Sequence, residues 1–208
     1  MVQRKVAAPM KTSGSYPPQY DQLSTIEQSI WDRLSNSVVD RHCPGHTPTF
    51  GSLAKDGSPR LRTVVLRGCD ADQRRLTFHT DQRSRKWQQL QSDPRASMHF
   101  YFPKAKLQYR LQGSVMLERA TERTQQIWQR MDHSAQDCYR VKTAPGTFVP
   151  EPTSRAVDTA GDHDGYRDFT RVHLRVTTID WLFLSAAGHR RAHFAWTESG
   201  QEQSWVAP

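Results

Sequence analysis

The sequence predicts a mainly β, α+β fold, in which an antiparallel barrel carries helices at its periphery. Strand-like runs separated by short turns dominate the 208 residues. Helical periodicity occurs at only three points along the chain. No apolar run reaches the roughly 18 residues that a membrane span requires. Together these features predict one domain with a sizeable core and no membrane partner.

The N-terminal region predicts a flexible segment and then a helix. Residues 1–20 are rich in Pro, Ser and Gly and lack the apolar stretch of a secretory signal. We therefore expect the domain to cover residues 21–208. Leu23, Ile26, Ile30 and Leu34 recur at helical spacing. Ser24 and Glu27 have the spacing of a capping box at the start of this helix.

The next stretch predicts three strands. They read TPTFGSLA, PRLRTVVLRGC and RLTFHT, from Thr47 onward. Asp56-Gly57 separates the first two, and such a pair between apolar runs is a strong hairpin signal.

The remaining chain predicts two short helices, four strands and one long loop. The helices read SRKWQQLQ, ended by Asp93-Pro94, and TERTQQIWQRM, with Ile127 and Met131 on the buried face. The strands read ASMHFYF, KLQYRLQGSVMLE, VHLRVTTIDWLFL and RRAHFAW, and the last two are expected to end the fold. Residues 144–168, rich in Pro, Gly, Asp and Thr, predict a long loop.

Composition restricts the possible partners without choosing among them. The formal net charge of +8 suits a phosphorylated cofactor, a nucleic acid or a solvated basic surface, and charge alone favours the last. No nucleic-acid-binding motif occurs. Cys43, Cys69 and Cys138 are odd in number and lack metal-ligand spacing, so we expect free thiols in the cytoplasm.

Two clusters of cations suggest an anion site. Arg62 and Arg67 bracket an apolar strand, and five residues apart they should face opposite sides of it. Two solvent-facing arginines are the plain alternative. Arg85 and Lys86 open a helix, where positive charge opposes the helix dipole unless an anion is bound. With Arg62 and Thr80 nearby in the sequence, the anion interpretation is favoured.

These motifs resemble, in order, the flavin site of the pyridoxamine 5'-phosphate oxidase family of FMN-binding split barrels. The likeness runs from about Phe50 to Gly113 and more weakly from Val172 to Pro208. It is nearest to a subgroup known as oxidase-related FMN-binding proteins, which share RTVVLRG and a later Pro-Gly. The resemblance implies FMN as cofactor, a split barrel, and a homodimer with FMN at the interface. The implied cofactor-binding residues are Arg62, Thr63, Val64, Val65, His79, Thr80, Ser84, Arg85, Lys86 and Gln108.

Within that set the resemblance implies distinct roles. Arg62 and the Ser84-Arg85-Lys86 helix start would hold the phosphate. Backbone near Val64 and Val65 would meet the flavin ring, and Gln108 would reach its polar edge.

The substrate half of the oxidase site is only partly matched. Arg67 stands where the oxidases have a substrate-binding lysine, and Arg191 and His193 have the outline of another substrate contact. The family's next Asp-Arg pair is Phe194-Ala195 here. A gapless alignment puts Ile127, Met131 and Ala135 where the oxidases have a hydrogen-bonding Tyr, Arg and Ser, and a shifted alignment would put Arg130, Ser134 or Tyr139 in those roles. We therefore predict Arg67, Arg191 and His193 as substrate-binding residues, and we expect pyridoxamine phosphate oxidation not to carry over.

Three functions follow as hypotheses. The first is an FMN-dependent oxidoreductase acting on a small anionic substrate. The second is a non-catalytic carrier of FMN or pyridoxal phosphate. The third, a nucleic-acid binder, has only the charge in its favour. The pair His189 and His193 lacks a third ligand, so we predict no metal site, and no catalytic residue can be assigned.

Overall fold

The computed structural model describes residues 16–152 and 164–208. The helices are α1 (Leu23–Val39), α2 (Arg85–Ser92), α3 (Glu122–Gln129) and α4 (His133–Arg140). The strands are β1 (Thr49–Leu53), β2 (Pro59–Thr63), β3 (Leu66–Asp70), β4 (Arg75–Asp81), β5 (Arg95–Phe102), β6 (Leu107–Glu118), β7 (Phe169–Phe183), β8 (Arg190–Thr197) and β9 (Gly200–Val206). The predicted mainly β fold with peripheral helices is confirmed.

All the strands belong to one antiparallel sheet that branches at β7. The main order is β2-β1-β5-β6-β7-β4-β3, and β8 and β9 follow from β7. The long β7 pairs with β6 from Arg171 to Phe183. Its other edge is divided, because residues 169–175 pair with β4 and residues 178–183 pair with β8. This division gives the sheet its split.

A two-residue connection brings the two ends of the strand order together. The strands β2 and β3 lie at opposite ends, yet only Val64 and Val65 separate them in sequence. From Thr63 to Leu66 the chain can span roughly 10 Å at most. The sheet must therefore curl until its ends meet, and we call this connection the seam. The prediction of one continuous strand from Pro59 to Cys69 was wrong, because the chain turns here from one end of the sheet to the other.

The core fills the barrel and continues beneath α1. Aromatic side chains occupy the interior, among them Phe50, Phe78, Tyr109 and Trp181. Ile26, Ile30 and Leu34 of α1 are fully buried, so the predicted apolar face of this helix is confirmed. The predicted capping box at Ser24 was wrong. The helix begins two residues earlier than predicted, with Gln22 as N-cap, so Ser24 lies inside its first turn.

The periphery differs from the prediction in three elements. Thr124 and Trp128 are the buried residues of α3, rather than Ile127 and Met131, because a capping box at Thr121 sets the start of the helix. The short helix α4 was missed, and its polar sequence gives little periodic signal. The strand β9 was also missed, because every one of its residues is exposed.

Two predicted segments fall partly outside the described residues. Residues 1–15 of the N-terminal segment and residues 153–163 of the long loop lie outside the described residues. Residues 144–152 contain no helix or strand, and Tyr166–Asp168 forms a 3-10 turn. Within 16–152 and 164–208, no helix has the length and apolar character needed to cross a bilayer. The same residues contain no group of three His, Cys, Asp or Glu side chains placed to hold a metal ion.

Candidate functional site

A cavity of about 770 Å³ opens beside the seam. The barrel contributes Thr63, Val64, Val65, Arg67, His79 and Lys86 to its lining. The helical side contributes Ile127, Arg130, Met131, Asp132, Ser134, Ala135, Cys138 and Tyr139. Arg41 and His46, from the connection between α1 and β1, complete it. Six of the predicted site residues therefore meet at one place.

The lining carries an excess of positive charge. Arg41, Arg67, Lys86 and Arg130 face it, and Asp132 is the acidic residue among the lining side chains. A concave surface lined by one sign of charge attracts ligands of the opposite sign. The cavity is therefore suited to an anionic molecule.

Lys86 supports this view most directly. Burial, followed by the nearby charge of Arg62, lowers the pKa of Lys86 to about 8. Its Nζ lies 5.3 Å from the centroid of the Phe78 ring. No hydrogen bond or ion pair of this ammonium occurs within 16–152 and 164–208. A desolvated cation without a carboxylate partner is costly for the protein, and an incoming phosphate would compensate it.

The start of α2 places hydroxyl groups close to Lys86. Ser84 is the N-cap, and its Oγ accepts a hydrogen bond from the Trp87 N–H at 3.3 Å. The same hydroxyl donates to the Asp81 carbonyl at 2.7 Å. Thr80 Oγ1 lies 3.3 Å from it, and both side chains are buried. Thr80, Ser84 and Lys86 are thus gathered as the sequence predicts.

Arg62 and Arg85 lie beside the cavity without lining it. Arg62 donates to Ser52 Oγ at 2.7 Å and to Gln89 Oε1 at 2.9 Å, which ties β2 to α2. Burial lowers the pKa of Arg62. Arg85 is exposed, and its guanidinium carbon lies 5.4 Å from the centroid of the Phe148 ring. Arg62 and Arg67, which the sequence placed on one strand, do have different surroundings. The reason is that the seam lies between them, not that they alternate along a strand.

His79 lines the cavity as a neutral ring. Burial, and next the charge of Arg67, lowers the pKa of His79 to about 3. Its ring packs edge-on against Phe169 at a centroid distance of 4.8 Å. Across the cavity, burial raises the pKa of the Tyr139 phenol. These two groups are therefore uncharged at neutral pH.

Gln108, Arg191 and His193 occupy the outer face of the sheet, away from the cavity. His99 Nε2 lies 3.2 Å from Gln108 Oε1. Arg191 contacts Asp180 Oδ2 at 2.6 Å, and His193 is the register partner of Asp180 on β8.

The strand register measures the separation of these residues from the cavity. One row of outward-facing polar residues crosses the sheet through Thr63, Thr49, His99, Arg110, Asp180 and His193. Thr63 lines the cavity, whereas His193 lies five strand spacings away along the curved sheet, roughly 24 Å. Among the described residues, the cavity lining includes Arg67 but neither Arg191 nor His193.

Two lining residues had no signal in the sequence, because Arg41 and His46 reach the cavity through a connection that carries no recognisable motif. Arg130 and Tyr139 enter the site only under the shifted alignment, and the structure places Arg130 at the C-cap of α3 and Tyr139 on α4, a helix that was not predicted. Only the curvature of the sheet, which no local pattern encodes, brings these segments opposite the seam.

The chain is similar to known proteins in sequence and in fold. Residues 26–119 match the family described as pyridoxamine 5'-phosphate oxidase, FMN-binding domain. The chain is 33% identical over 87 residues to a pyridoxine/pyridoxamine 5'-phosphate oxidase of Paraburkholderia phymatum, and the match covers 41% of the chain and 40% of the relative. It is 40% identical over 67 residues to the oxidase of the same name from Pseudomonas putida, covering 32% and 30%. The chain thus matches less than half the length of either relative.

Two solved structures share the fold over nearly the whole chain. A pyridoxamine 5'-phosphate oxidase-related FMN-binding protein of Nostoc punctiforme superposes with a TM-score of 0.68, at 22% identity, covering 93% of this chain and 99% of that one. PhzG of Burkholderia lata, in complex with tetrahydrophenazine-1-carboxylic acid, gives a TM-score of 0.70 at 15% identity, covering 94% and 98%. The predicted split barrel and the predicted cofactor, FMN, are confirmed at the level of the family. The sequence match ends before α3, so Arg130, Tyr139, Arg191 and His193 lie outside it.

Proposed function

We propose that the chain is an oxidoreductase that holds FMN in the seam cavity, because residues 26–119 match the pyridoxamine 5'-phosphate oxidase, FMN-binding domain. Its substrate would be a small anionic molecule bound beside the flavin. The observation that carries this proposal is the half-buried ammonium of Lys86, which has no hydrogen-bond or ion-pair partner among the described residues and faces a cationic cavity. FMN, when bound, supplies the redox chemistry, and the chain supplies binding, orientation and electrostatics.

The phosphate is best accommodated at the start of α2. Lys86 provides the charge, and Thr80 and Ser84 lie next to it. Arg62 is close enough to lower the pKa of Lys86, so a bound phosphate would relieve the repulsion between the two cations. The side chains of Val64 and Val65 then form an apolar surface for the ring. The N–H of Val64 already donates to the Pro48 carbonyl at 3.1 Å and is not available to a ligand.

The opposite side of the cavity is left for the substrate. Arg67 and Arg130 supply positive charge there. Ile127, Met131 and Ala135 form an apolar wall that offers no side-chain hydrogen bonds. A substrate with an anionic group and an apolar body matches this surface better than one that is polar throughout, because an unpaired buried polar group costs about 1–3 kcal/mol.

A second copy of the chain would complete the site. Gln108, Arg191 and His193 are not among the described residues that line the cavity of their own chain. Their exposure on an outer sheet face leaves them accessible to the flavin of a partner chain. We therefore propose a homodimer with FMN at the interface. We place it in the cytoplasm, since Cys43, Cys69 and Cys138 form no disulfide with one another.

The visible spectrum of the purified protein tests the cofactor. We expect flavin absorption bands, and heat release followed by chromatography should yield FMN and not FAD. The absence of any flavin, even after incubation with FMN, would contradict the proposal.

A peroxide-coupled assay separates the oxidase from the carrier. The apolar wall of Ile127, Met131 and Ala135 is the observation that supports the alternative function, a non-catalytic carrier of FMN or pyridoxal phosphate. We expect little or no turnover of pyridoxamine or pyridoxine 5'-phosphate, because that wall offers no hydrogen bonds to the substrate phosphate. Rapid turnover at micromolar substrate would mean that the substrate lies elsewhere in the site. If no amine or alcohol in a broad panel reduces the bound flavin, the carrier is favoured.

A further inference from the structure

His46 is a buried, well-anchored imidazole in the cavity lining that the proposed function leaves without a role. It ends the 3-10 turn Pro44–His46 and is 8% exposed. Its Nδ1 lies 2.8 Å from the carbonyl oxygen of Ser37, in the last turn of α1. A Cβ on Gly45 would lie 2.3 Å from Ser37 Oγ, so this glycine allows the turn to pack closely against the helix. The ring is therefore held in one place.

This anchoring contact fixes the tautomer of the ring. A carbonyl oxygen can only accept a hydrogen bond, so Nδ1 must carry the hydrogen. In the neutral ring Nε2 is then an acceptor. Within 16–152 and 164–208, the bond at Nδ1 is the one hydrogen bond recorded for this ring. Nε2 is thus free to accept a hydrogen bond from a molecule in the cavity.

The neighbours of His46 indicate which molecule that is. Pro48, two residues further on, accepts the hydrogen bond of the Val64 N–H, so the turn lies next to the seam. Val64 and Val65 are the residues expected to meet the flavin ring. The oxidised ring system of a flavin has a single ring N–H, at N3, which needs an acceptor. Gln108, which the family resemblance places at the polar edge of the ring, does not line the cavity of its own chain within the described residues, and in the proposed dimer it would come from the partner chain.

We propose that Nε2 of His46 accepts a hydrogen bond from N3–H of the flavin and so orients the ring in the cavity. The inference rests on the proposed function, since it requires FMN to be the ligand at the seam. It assigns the polar edge of the ring to the connection between α1 and β1 of the chain that also provides Lys86.

Two variants separate the anchor from the ligand contact. His46→Asn places an amide N–H near the position of Nδ1 and keeps the bond to Ser37, but has nothing at the position of Nε2. His46→Gln places an amide oxygen near Nε2 and gives up the anchor. Each variant is titrated, as FMN-free protein, with FMN and with N3-methyl-FMN, and binding is followed by quenching of flavin fluorescence.

The ratio of the two dissociation constants is the decisive quantity. Wild type should bind FMN more tightly than the N3-methyl analogue. His46→Asn should melt close to wild type and lower this preference by about threefold to tenfold, the equivalent of one hydrogen bond. His46→Gln should melt at a lower temperature yet retain part of the preference. An unchanged preference in His46→Asn, or none in wild type, overturns the inference and leaves the proposed function intact. If wild type binds neither FMN nor its N3-methyl analogue, both the inference and the proposed function are refuted.

Discussion

Replacing Lys86 with methionine should stabilise the FMN-free protein and weaken its affinity for FMN. Burial lowers the pKa of Lys86 from 10.5 to about 8. At about 1.4 kcal/mol per pH unit, that difference corresponds to about 3 kcal/mol, and the remaining solvent contact of the half-buried side chain reduces it to about 2 kcal/mol. Methionine has a similar length and no charge to desolvate. We therefore expect the free energy of unfolding at pH 7 to rise by about 2 kcal/mol.

The gain from Lys86→Met should depend on pH in a defined window. A base whose pKa is lower in the folded than in the unfolded protein binds its proton less tightly when folded. The stability of wild type should therefore rise between about pH 8 and pH 10.5. Below about pH 8 the full desolvation penalty of the Lys86 charge lowers the stability of wild type, and above about pH 10.5 this penalty disappears. The advantage of the variant is largest at pH 7 and small at pH 10.5.

Urea denaturation of the FMN-free protein at pH 7 and pH 10 measures the effect, with the exposed Lys104→Met as the matched control. Flavin titration of the same variants should show a tenfold to hundredfold weaker affinity for Lys86→Met, since a charge-assisted contact contributes about 1.5–3 kcal/mol. A variant that is less stable than wild type at pH 7, or equally affected at both pH values, would refute the desolvation argument. An unchanged affinity would place the phosphate elsewhere.

Three further outcomes are expected. Ser84→Ala removes the N-cap of α2 and should lower the free energy of unfolding by about 1 kcal/mol in urea denaturation; no loss would mean that water replaces the cap. Gly113→Ala should strongly lower the melting temperature, because its Cβ would lie 1.9 Å from the Arg175 carbonyl oxygen, whereas Gly51→Ala meets only the flexible Leu61 at 3.1 Å and serves as control. Light scattering of the flavin-loaded protein should give twice the 24.0 kDa of one chain, and a monomer would contradict the shared site.

The sequence predicts those parts of the site that depend on local structure. The start of α2 was predicted because a capping serine and two cations stand before a helical pattern. His79 and Thr80 were predicted because the pair at the end of a short strand matches the motif of the resembling family, and the structure places both on β4. Each of these features is decided within a few residues, where propensity and spacing act directly.

The parts that were missed depend on how the sheet curls. Nothing local distinguishes a strand that continues through Val64 and Val65 from one that turns there to the other end of the sheet. The same long-range geometry brings His46 and Arg130 into one cavity and sends Gln108 to the outer face. Periodicity reports which face of an element is buried, but it does not report which distant element will cover it.

The position of β7 in the strand order has a consequence for synthesis of the chain. Residues 26–119, which carry the family match, contain β4 and β6 but not the strand that lies between them. Thr77 on β4 meets its partner His173 96 residues later, and such non-local pairing is slow. While it leaves the ribosome, the nascent chain therefore has no seam cavity until Phe169–Phe183 has emerged. FMN would then bind only the completed fold. Its cellular concentration would set the fraction of newly made chains that stay folded.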